Sequence, residues 1–595
     1  MKHKLLILSM IGLLFGACHK YDFETNSKEE INNNVKEVFG VEFDETHDWR
    51  LTSSGNILIN NIPSSVDRVQ LLVCTTETDT TTSVAVLNEE EVNGQSSIRL
   101  TYDVPSSNLG MYVGFITKET LRLVKIEGNS VSFNDAAQAR TRAASTSQFP
   151  SETPVINEAV ESYASQRGWI SGEQLYGFGG YSQSASDYSA DLKAVLRDFI
   201  FSYFKNGRAY NNLPLVKESG VYNDNAYPIT TGEKPIIISP FYKCDKAKQY
   251  GNEVWNSDLY YYYYKEEDMA GKDPIAFLQS LPKFKALSFS GHFGETEDDV
   301  ISKRNSYILA YFGDGDAYVG KQGTYHFPKG YKIGFMVRAN TSYEAPKKQG
   351  ELYGDGRLNK KINAWPNFSS SKLGDTGPRI AWLSLNGKMI MCWESGTDSD
   401  FNDILIEVEG GVIPVIDIPD VEYNFYTFCF EDTPFGDYDM NDVVLKAERI
   451  QSDKVRYTLT ACGAYDNLYI MNVQGLLINN STEIHKMFGK NGGYINTEKG
   501  GATAEPVVDV VTVPKSFSFL NENQQPYIMD MSNGQTIKIS RYGEDPHAIM
   551  IPYDFKYPLE KVCIKDAYSE FNNWGMNKVE STDWYTKPIT ENVWN

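Results

Sequence analysis

The sequence has few of the residues that build the common catalytic and metal centres. Its seven histidines are scattered, and none forms His-x-x-x-His or His-Glu-x-x-His, which excludes the usual zinc-protease motif. No Gly-x-Ser-x-Gly elbow occurs, and none of the seven cysteines lies in a Cys-x-x-Cys pair, so a serine-hydrolase elbow or a zinc cluster is not indicated. A glycosidase pair of distant carboxylates stays open as an alternative. We expect a protein without enzymatic activity.

Positive charge is also scarce. The chain has 56 lysines and arginines against 78 aspartates and glutamates, a formal net charge of -22. This balance disfavours nucleic acid and anionic membrane surfaces as partners, but it is compatible with cation binding. With 595 residues, of which 41% are hydrophobic, there is material for several packed domains.

Long hydrophobic runs are missing except at the start. A basic stretch, Met1–Lys4, precedes an apolar run, Leu5–Phe15, which is too short to span a bilayer and is typical of a signal peptide. Gly16-Ala17 before Cys18 resembles a bacterial lipobox, although Phe15 stands where leucine is usual. The resemblance implies cleavage before Cys18 and acylation of Cys18, and two or three acyl chains would anchor the protein stably. Ordinary secretion, with Cys18 removed or buried, is the alternative.

The lipobox resemblance also implies a location. We expect the protein to be lipid-anchored in the outer membrane of a diderm bacterium. The acidic residues Asp22 and Glu24, soon after Cys18, resemble the surface-export signals of some lipoproteins. They favour the cell surface, with the periplasmic face as the alternative.

Apolar alternation and turn residues divide the remaining chain into modules. Helical spacing is confined to residues 152–200, at Ile156, Val160 and Tyr163 and again at Leu192, Val195, Leu196 and Phe199. We expect a mainly β fold, with several antiparallel β-sandwich domains in tandem and a short helical insert. The predicted parts are a signal peptide (1–17), a tether (18–36), an Ig-like or fibronectin-like sandwich (37–135), a linker and helical segment (136–220), a middle sandwich (221–412) and a C-terminal β domain (413–595).

One acidic motif occurs twice. The first acidic motif, residues 393–403, reads WESGTDSDFND, and the second, residues 430–442, reads FEDTPFGDYDMND. Both have an aromatic residue, Glu, a turn with Gly, and then Asp-x-Asp-x-Asn-Asp before an apolar strand. The candidate ligands are Asp398, Asp400, Asn402 and Asp403 in the first motif and Asp437, Asp439, Asn441 and Asp442 in the second, with Glu394 and Glu431 as closing ligands.

These residue types suit calcium. Side chains two apart in an extended segment point to the same face, and a row of carboxylate and amide oxygens supplies the hard ligands that Ca²⁺ prefers. The spacing is not that of an EF-hand, and Mg²⁺ is disfavoured because it needs a more rigid octahedron. The alternative is an Asx-turn, in which Asp and Asn bond to nearby backbone without a metal.

Two cysteines stand at equivalent places in the repeat. Cys392 and Cys429 each lie two residues before the glutamate of their motif. Equivalent positions in two similar sheets favour buried apolar thiols over a disulfide.

The C-terminal part resembles a known family. The second acidic motif, together with His547–Pro552, Phe555–Glu560, Ala567–Phe571 and Asp583–Tyr585, is similar to the LruC domain of bacterial envelope lipoproteins. The resemblance covers about residues 420–590, and residues 285–410 resemble a related uncharacterised β-domain. It implies a β-structured protein of the cell envelope without enzymatic activity.

Two kinds of partner on the cell exterior stay open. One is another macromolecule, bound by an adhesion or scaffold protein. The other is a glycan, bound by an accessory lipoprotein in which Trp365, Trp382, Trp393 or the run Tyr260–Tyr264 stacks on sugar. The sequence leaves the oligomeric state undetermined.

Overall fold

The computed structural model describes residues 27–78, 81–118, 120–135, 149–159, 175–178, 182–205, 227–244, 257–293, 300–315, 317–339, 351–359, 379–394, 400–413, 422–423 and 425–594. Cys18 and the predicted signal peptide lie outside these residues. So do Asp398 of the first acidic motif, Trp365, and Val160 and Tyr163 of the predicted helical spacing.

The chain forms two compact units. Unit 1 comprises Met1–Ser53, Phe425–Arg449 and Asp453–Asn595, and unit 2 comprises Ser54–Asn424 and Ile450–Ser452. Unit 2 is thus inserted between the first and last parts of unit 1. The six predicted parts divide the chain differently, and they stay a prediction.

Helices are few and mostly short. Among the described residues, none is long and apolar enough to cross a membrane. They are α1 (Lys28–Phe39), α2 (Ala190–Tyr203), α3 (Glu266–Met269), α4 (Pro274–Ser280), α5 (Phe289–His292), α6 (Gly356–Asn359), α7 (Ile484–Met487), α8 (Ile564–Ala567) and α9 (Phe571–Met576), with 3-10 turns at Phe133–Asp135, Trp584–Thr586 and Thr590–Asn592.

Strands make up most of the regular structure, so the mainly β prediction is confirmed. Those of unit 2 are β1 (Thr52–Asn60), β2 (Arg68–Thr78), β3 (Thr81–Glu91), β4 (Ser97–Pro105), β5 (Gly110–Ile116), β6 (Leu121–Lys125), β7 (Ser130–Ser132), β8 (Ile156–Ala159), β9 (Leu175–Phe178), β10 (Ser182–Ser184), β11 (Ile229–Thr230), β12 (Ile236–Lys243), β13 (Ser257–Tyr264), β14 (Lys283–Ser288), β15 (Asn305–Ile308), β16 (Lys332–Ala339), β17 (Glu351–Tyr353), β18 (Ile380–Leu385), β19 (Lys388–Trp393), β20 (Ile404–Gly410), β21 (Val412–Ile413) and β22 (Glu422–Tyr423). Those of unit 1 are β23 (Phe425–Phe430), β24 (Val443–Gln451), β25 (Lys454–Ala461), β26 (Leu468–Met471), β27 (Val507–Thr512), β28 (Tyr527–Asp530), β29 (Gln535–Ile537) and β30 (Ala548–Pro552).

The first strands of unit 2 form a sandwich. The sheet β4-β1-β7 shares an apolar core with β2, β3, β5 and β6, to which Ile57, Leu71 and Phe115 contribute. The strands β2, β3, β5 and β6 form the second sheet of the sandwich. This sheet continues beyond β6, because β6 pairs in parallel with β18. An eleven-stranded sheet results, in the order β10-β15-β12-β20-β19-β18-β6-β5-β2-β3-β22. Sequence patterns placed its two halves in separate domains.

Helix α2 covers part of this sheet. Its buried residues Leu192, Val195, Leu196 and Phe199 join the same core as Leu383 and Cys392, so the helical spacing predicted there is confirmed. The spacing that began at Ile156 is wrong, because this residue lies in β8 and pairs with Phe178 of β9. Short apolar runs do not separate helix from strand by periodicity alone.

The tyrosine run is the centre of an eight-stranded sheet. Strand β13 pairs along its length with β16 and also with β14, so both of its edges are hydrogen-bonded to neighbouring strands. Tyr261 and Tyr263 belong to one core, and Tyr260, Tyr262 and Tyr264 to another. All five side chains are buried.

Unit 1 packs two cores against one five-stranded sheet, β27-β25-β24-β23-β30. One core includes Phe428 and Leu459 and is completed by the sheet β26-β28-β29. The other includes Cys429, Phe571 and Trp574. Alternate residues of β23 therefore serve opposite cores, as strand geometry requires.

Helix α1 packs in the second of these cores, although it lies more than 380 residues earlier in the sequence. Its N-cap Ser27 and Glu30 form a capping box, and Gly40 ends it with φ 73°. Ile31, Val35 and Phe39 recur every four residues and are buried. The prediction had assigned residues 18–36 to a tether, so part of that tether is folded helix.

Acid should loosen this docking through His47. The side chain is buried between Trp49 and Trp574, and neither ring nitrogen has a hydrogen-bond partner among the described residues. Burial lowers the pKa of His47 from 6.5 to about 4, despite the opposing charges of Asp44 and Asp48. The folded state favours the neutral ring, so this stability is complete above pH 6.5 and is lost as the pH falls toward 4.

Urea unfolding, followed by tryptophan fluorescence at pH 7.5 and 4.5, should therefore show a smaller loss in His47→Phe than in the wild type, by about 2 kcal/mol. Equal losses in the two proteins would contradict this assignment.

Candidate functional site: a buried carboxylate cluster

Each acidic motif closes a β-hairpin. In the first, Trp393 of β19 pairs with Ile404 of β20, and in the second, Phe430 of β23 pairs with Val443 of β24. The glutamate therefore follows the last pair of each hairpin, and the Asn-Asp step precedes its return strand. Cys392 and Cys429 occupy equivalent positions and are free, buried thiols, as predicted. Burial raises the pKa of both thiols.

The second motif folds around the carboxylate of Glu431. Its Oε1 accepts a hydrogen bond from Met440 N at 2.5 Å, and its Oε2 accepts one from Tyr438 N at 3.2 Å. Tyr438 and Met440 have φ of 54° and 57°, the left-handed region that costs about 1–2 kcal/mol for a residue with a side chain. The motif is thus a looped segment, and the extended strand expected from its alternation is wrong. Backbone donors drawn to one buried acid account for the difference.

Three carboxylates meet in this loop. One oxygen from each of Glu431, Asp437 and Asp439 lies within 4.8 Å of the others. Asp439 is fixed by two further bonds, since its Oδ1 accepts from Asn441 N at 3.1 Å and its Oδ2 from Lys561 N at 2.7 Å. Asp437 is exposed, whereas the other two are buried. The cluster therefore has one open side.

The carboxylates of this cluster resist ionisation. Burial, together with the charges of Asp439 and Asp437, raises the pKa of Glu431 well above its usual value. Burial and the charge of Asp437 do the same for Asp439, and burial raises the pKa of Asp437 itself. Two like charges 4.8 Å apart repel by about 3 kcal/mol at an effective dielectric constant of 20. Positive charge at this point would remove that cost.

The spacing suits a divalent ion with oxygen ligands. Two oxygens that bind one calcium ion at about 2.4 Å can be at most about 4.8 Å apart, and the three carboxylate oxygens of this group lie within that limit. Three carboxylates supply at least three of the six to eight oxygens that Ca²⁺ takes, and the open side at Asp437 admits water or a ligand.

The structure brings together three of the five residues predicted for this motif. Asp442 is outside the group; its Oδ2 accepts from Asp432 N at 2.7 Å. Asn441 is fully buried, and its Nδ2 donates to Pro558 O at 3.1 Å. Its Oδ1 has no hydrogen-bond partner among the described residues and lies where a Cβ on Gly463 would come within 2.1 Å of it.

The first motif repeats part of this hydrogen-bond pattern, since its glutamate also accepts two backbone N–H groups of the loop. Glu394 Oε2 accepts from Asp400 N at 2.8 Å and from Phe401 N at 3.2 Å. Phe401 has φ 55°, like Met440 in the second motif. Asn402 Nδ2 donates to Phe204 O, as Asn441 donates to Pro558 O.

The comparison of the two motifs stops at the third carboxylate. Glu394 and Asp400 are buried and Asp403 is half-buried, but Asp398, the counterpart of Asp437, lies outside the described residues. Within the described part of the first motif, no group of three carboxylates occurs.

Sequence patterns missed the loop that faces the second motif. Lys561 N binds Asp439, and the charge of Asp437 contributes, after burial, to a raised pKa of Glu560. These two residues lie over a hundred positions from the motif, and no chemical signature marks them in the sequence.

The aromatic residues considered for sugar stacking lie in cores wherever the structure describes them, which leaves out Trp365. Trp382, Trp393 and the run Tyr260–Tyr264 are buried, because their strands are covered on both faces. They offer no surface to a glycan.

The fold and the site define a mainly β protein with a carboxylate cluster at the end of a hairpin. A family model described as a domain of unknown function, DUF4842, matches residues 529–585, which lie in unit 1 and include Glu560 and Lys561. No curated protein matches the chain. It is similar to a solved structure described as a candidate lipoprotein from Bacteroides ovatus, at 11% identity and a TM-score of 0.22, over 44% of this chain and 90% of that chain. A score this low supports no argument from shape.

Protonation should stabilise the cluster when no cation is present. A carboxyl whose folded pKa is raised contributes least above that pKa, so the contribution of the cluster to stability in EDTA should rise as the pH falls from 7.5 to 5.5, opposite to the contribution of His47. Asp437→Asn removes one of the repelling charges. We expect the change in the free energy of unfolding from pH 7.5 to pH 5.5, measured with urea, to be more favourable in the wild type than in this variant by about 1 kcal/mol.

Both proteins retain His47, so its opposite effect cancels in this comparison. An identical pH dependence in the two proteins would show that the carboxylates do not repel.

Proposed function

We propose that this protein is a non-catalytic, lipid-anchored protein of the bacterial cell envelope in which calcium stabilises a hairpin loop of unit 1. The observation that carries the proposal is the convergence of Glu431, Asp437 and Asp439 within 4.8 Å. Calcium bound there would offset their mutual repulsion and fix the left-handed residues Tyr438 and Met440 on either side of Asp439. At the millimolar calcium levels outside cells, even a weak site would be filled and would stabilise by mass action.

The pKa shifts favour an ion site over an acid–base centre. Paired catalytic carboxyls need environments that push their pKa values apart. Here burial raises the pKa values of Glu431, Asp437 and Asp439 in the same direction, and like charge adds to the effect at Glu431 and Asp439. The equivalent hairpin at Glu394 supports a second calcium site, formed with Asp398, Asp400, Asn402 and Asp403.

The N-terminal sequence supports the anchor. The basic start, the short apolar run and Gly16-Ala17-Cys18 are the parts that lipoprotein processing needs. We assign the protein to the outer membrane and its partner to the cell exterior, as an adhesion or scaffold protein related to the LruC-domain lipoproteins. The DUF4842 match within the region of that resemblance is compatible with this assignment. Glycan binding is the second candidate.

Calcium should raise the melting temperature of the chain that starts at His19. Calcium should also reverse which of the two proteins, the wild type or Asp437→Asn, is more stable. In EDTA the variant should melt at or above the wild-type temperature, because it has lost a repelling charge. In millimolar calcium it should melt lower, with calcium affinity in calorimetry reduced about tenfold. Glu505→Gln, a neutralised exposed carboxylate of unit 1, should leave both results unchanged.

Asp400→Asn tests the second site in the same way and should remove a separate part of the binding heat. If calcium produces neither heat nor a melting shift in the wild type, both motifs are Asx-turns and the calcium proposal fails. The fragment must keep residues 27–53, because α1 belongs to the core of unit 1.

Cys18→Ala should abolish lipid attachment. Expressed in a diderm host with labelled palmitate, the wild type should incorporate label and fractionate with the outer membrane, while the variant should be unlabelled. Label on the variant would place the lipid elsewhere, and no label on either would show ordinary secretion.

A further inference from the structure

A tyrosine pair, in which Tyr465 is exposed and Tyr494 is half-buried, stands beside the carboxylate cluster. Tyr465 is 72% exposed, and its ring centroid lies 4.7 Å from that of Tyr494, with the planes tilted by 60°. Aromatic rings that stand together with an exposed face are often found where a ligand packs. The pair is of interest because charged side chains near the cluster interact with it.

Backbone bonds join the tyrosine loops to the second acidic motif. Gly463 N donates to Asn441 O at 2.9 Å, two residues before Tyr465. Cys462 and Ile495 exchange two backbone hydrogen bonds, at 3.0 and 2.8 Å, which hold the Tyr494 loop against the Tyr465 loop. The tyrosine pair and the hairpin loop are thus parts of one connected surface.

Side chains of the facing loop complete the connection. Lys561 Nζ lies 5.6 Å from the ring centroid of Tyr494, while the backbone N of the same residue binds Asp439. Glu560 interacts with the hydroxyl of Tyr494 and with the charge of Asp437. One surface therefore presents aromatic rings, a cation, a hydrogen-bonding carboxylate and the open side of the cluster.

We propose that this surface, formed by Tyr465, Tyr494, Glu560 and Lys561 beside Asp437, binds a neutral glycan. The apolar C–H face of a sugar ring packs on tyrosine, and its hydroxyl groups can bond to Glu560 and Lys561. Hydroxyl oxygens are also hard ligands, so they can fill coordination positions of a calcium ion at the open side. The four acidic groups nearby disfavour an anionic polymer.

The coordination of sugar hydroxyl groups by calcium rests on the proposed calcium site. Packing of the sugar on the tyrosines does not depend on it, and both name the class of partner on the cell exterior. The tyrosine pair replaces the buried aromatics as the candidate for sugar stacking. Within unit 1, Tyr542 offers a matched control, since it is 64% exposed and lies outside the surface just defined.

Affinity electrophoresis tests the proposal with soluble starch, xyloglucan, galactomannan, xylan and yeast mannan, each in native gels with millimolar calcium. The chain that starts at His19 should be retarded by at least one of them. Tyr465→Ala should weaken that retardation about tenfold, while Tyr542→Ala should leave it unchanged. Calcium calorimetry on Tyr465→Ala should match the wild type, which shows that the variant is folded.

Two failures can be told apart. Calcium binding without retardation by any of the five polysaccharides would overturn the glycan proposal and leave the proposed calcium function standing. Retardation that persists in EDTA and in Asp437→Asn would keep the tyrosine surface and overturn the part given to calcium. Equal weakening in Tyr465→Ala and Tyr542→Ala would overturn the assignment of the surface.

Discussion

The carboxylate of Glu431 determines the conformation of the hairpin loop in unit 1. It is buried at the end of a hairpin and collects two backbone N–H groups, which forces their residues into left-handed conformations. Those conformations direct Asp437 and Asp439 to the same place and send Tyr438 and Met440 into the core with α1. One buried acid thus determines both the repulsion among the carboxylates of the loop and the packing of its side chains in the core. A neutral residue at this position would remove the reason for the loop's shape.

Sequence reasoning found the motif because its chemistry is local. Both copies were visible as residue types in a fixed order, and Glu431 was identified from its place in that order. The geometry of the loop could not be predicted from the sequence. The φ values of Tyr438 and Met440 follow from hydrogen bonds to Glu431, which lies seven residues before Tyr438 and nine before Met440. The same limit hid Glu560 and Lys561, which approach the motif only through tertiary folding.

Strand content was predictable for a similar reason, whereas sheet order was not. Alternation marks a strand within a few residues, but the pairing of Leu121 with Leu385 joins strands more than 250 positions apart, and neither sequence carries a sign of the other. Polar composition misled at α1: residues 28–36 are hydrophilic overall, yet Ile31 and Val35 recur at helical spacing and are buried. Three apolar residues on one face were enough to dock the segment.

The insertion of unit 2 between the two parts of unit 1 has a consequence for biogenesis. Helix α1 is synthesised first, but the core that receives it contains residues as late as Val593. The segment must therefore wait, in contact with water or a chaperone, until nearly the whole polypeptide is available for folding. If Cys18 is acylated, as we propose, at most about 35 Å of chain separates the lipid from the start of that helix. The last part of the protein to fold would then be the part held closest to the membrane, and its completion would report that translocation has finished.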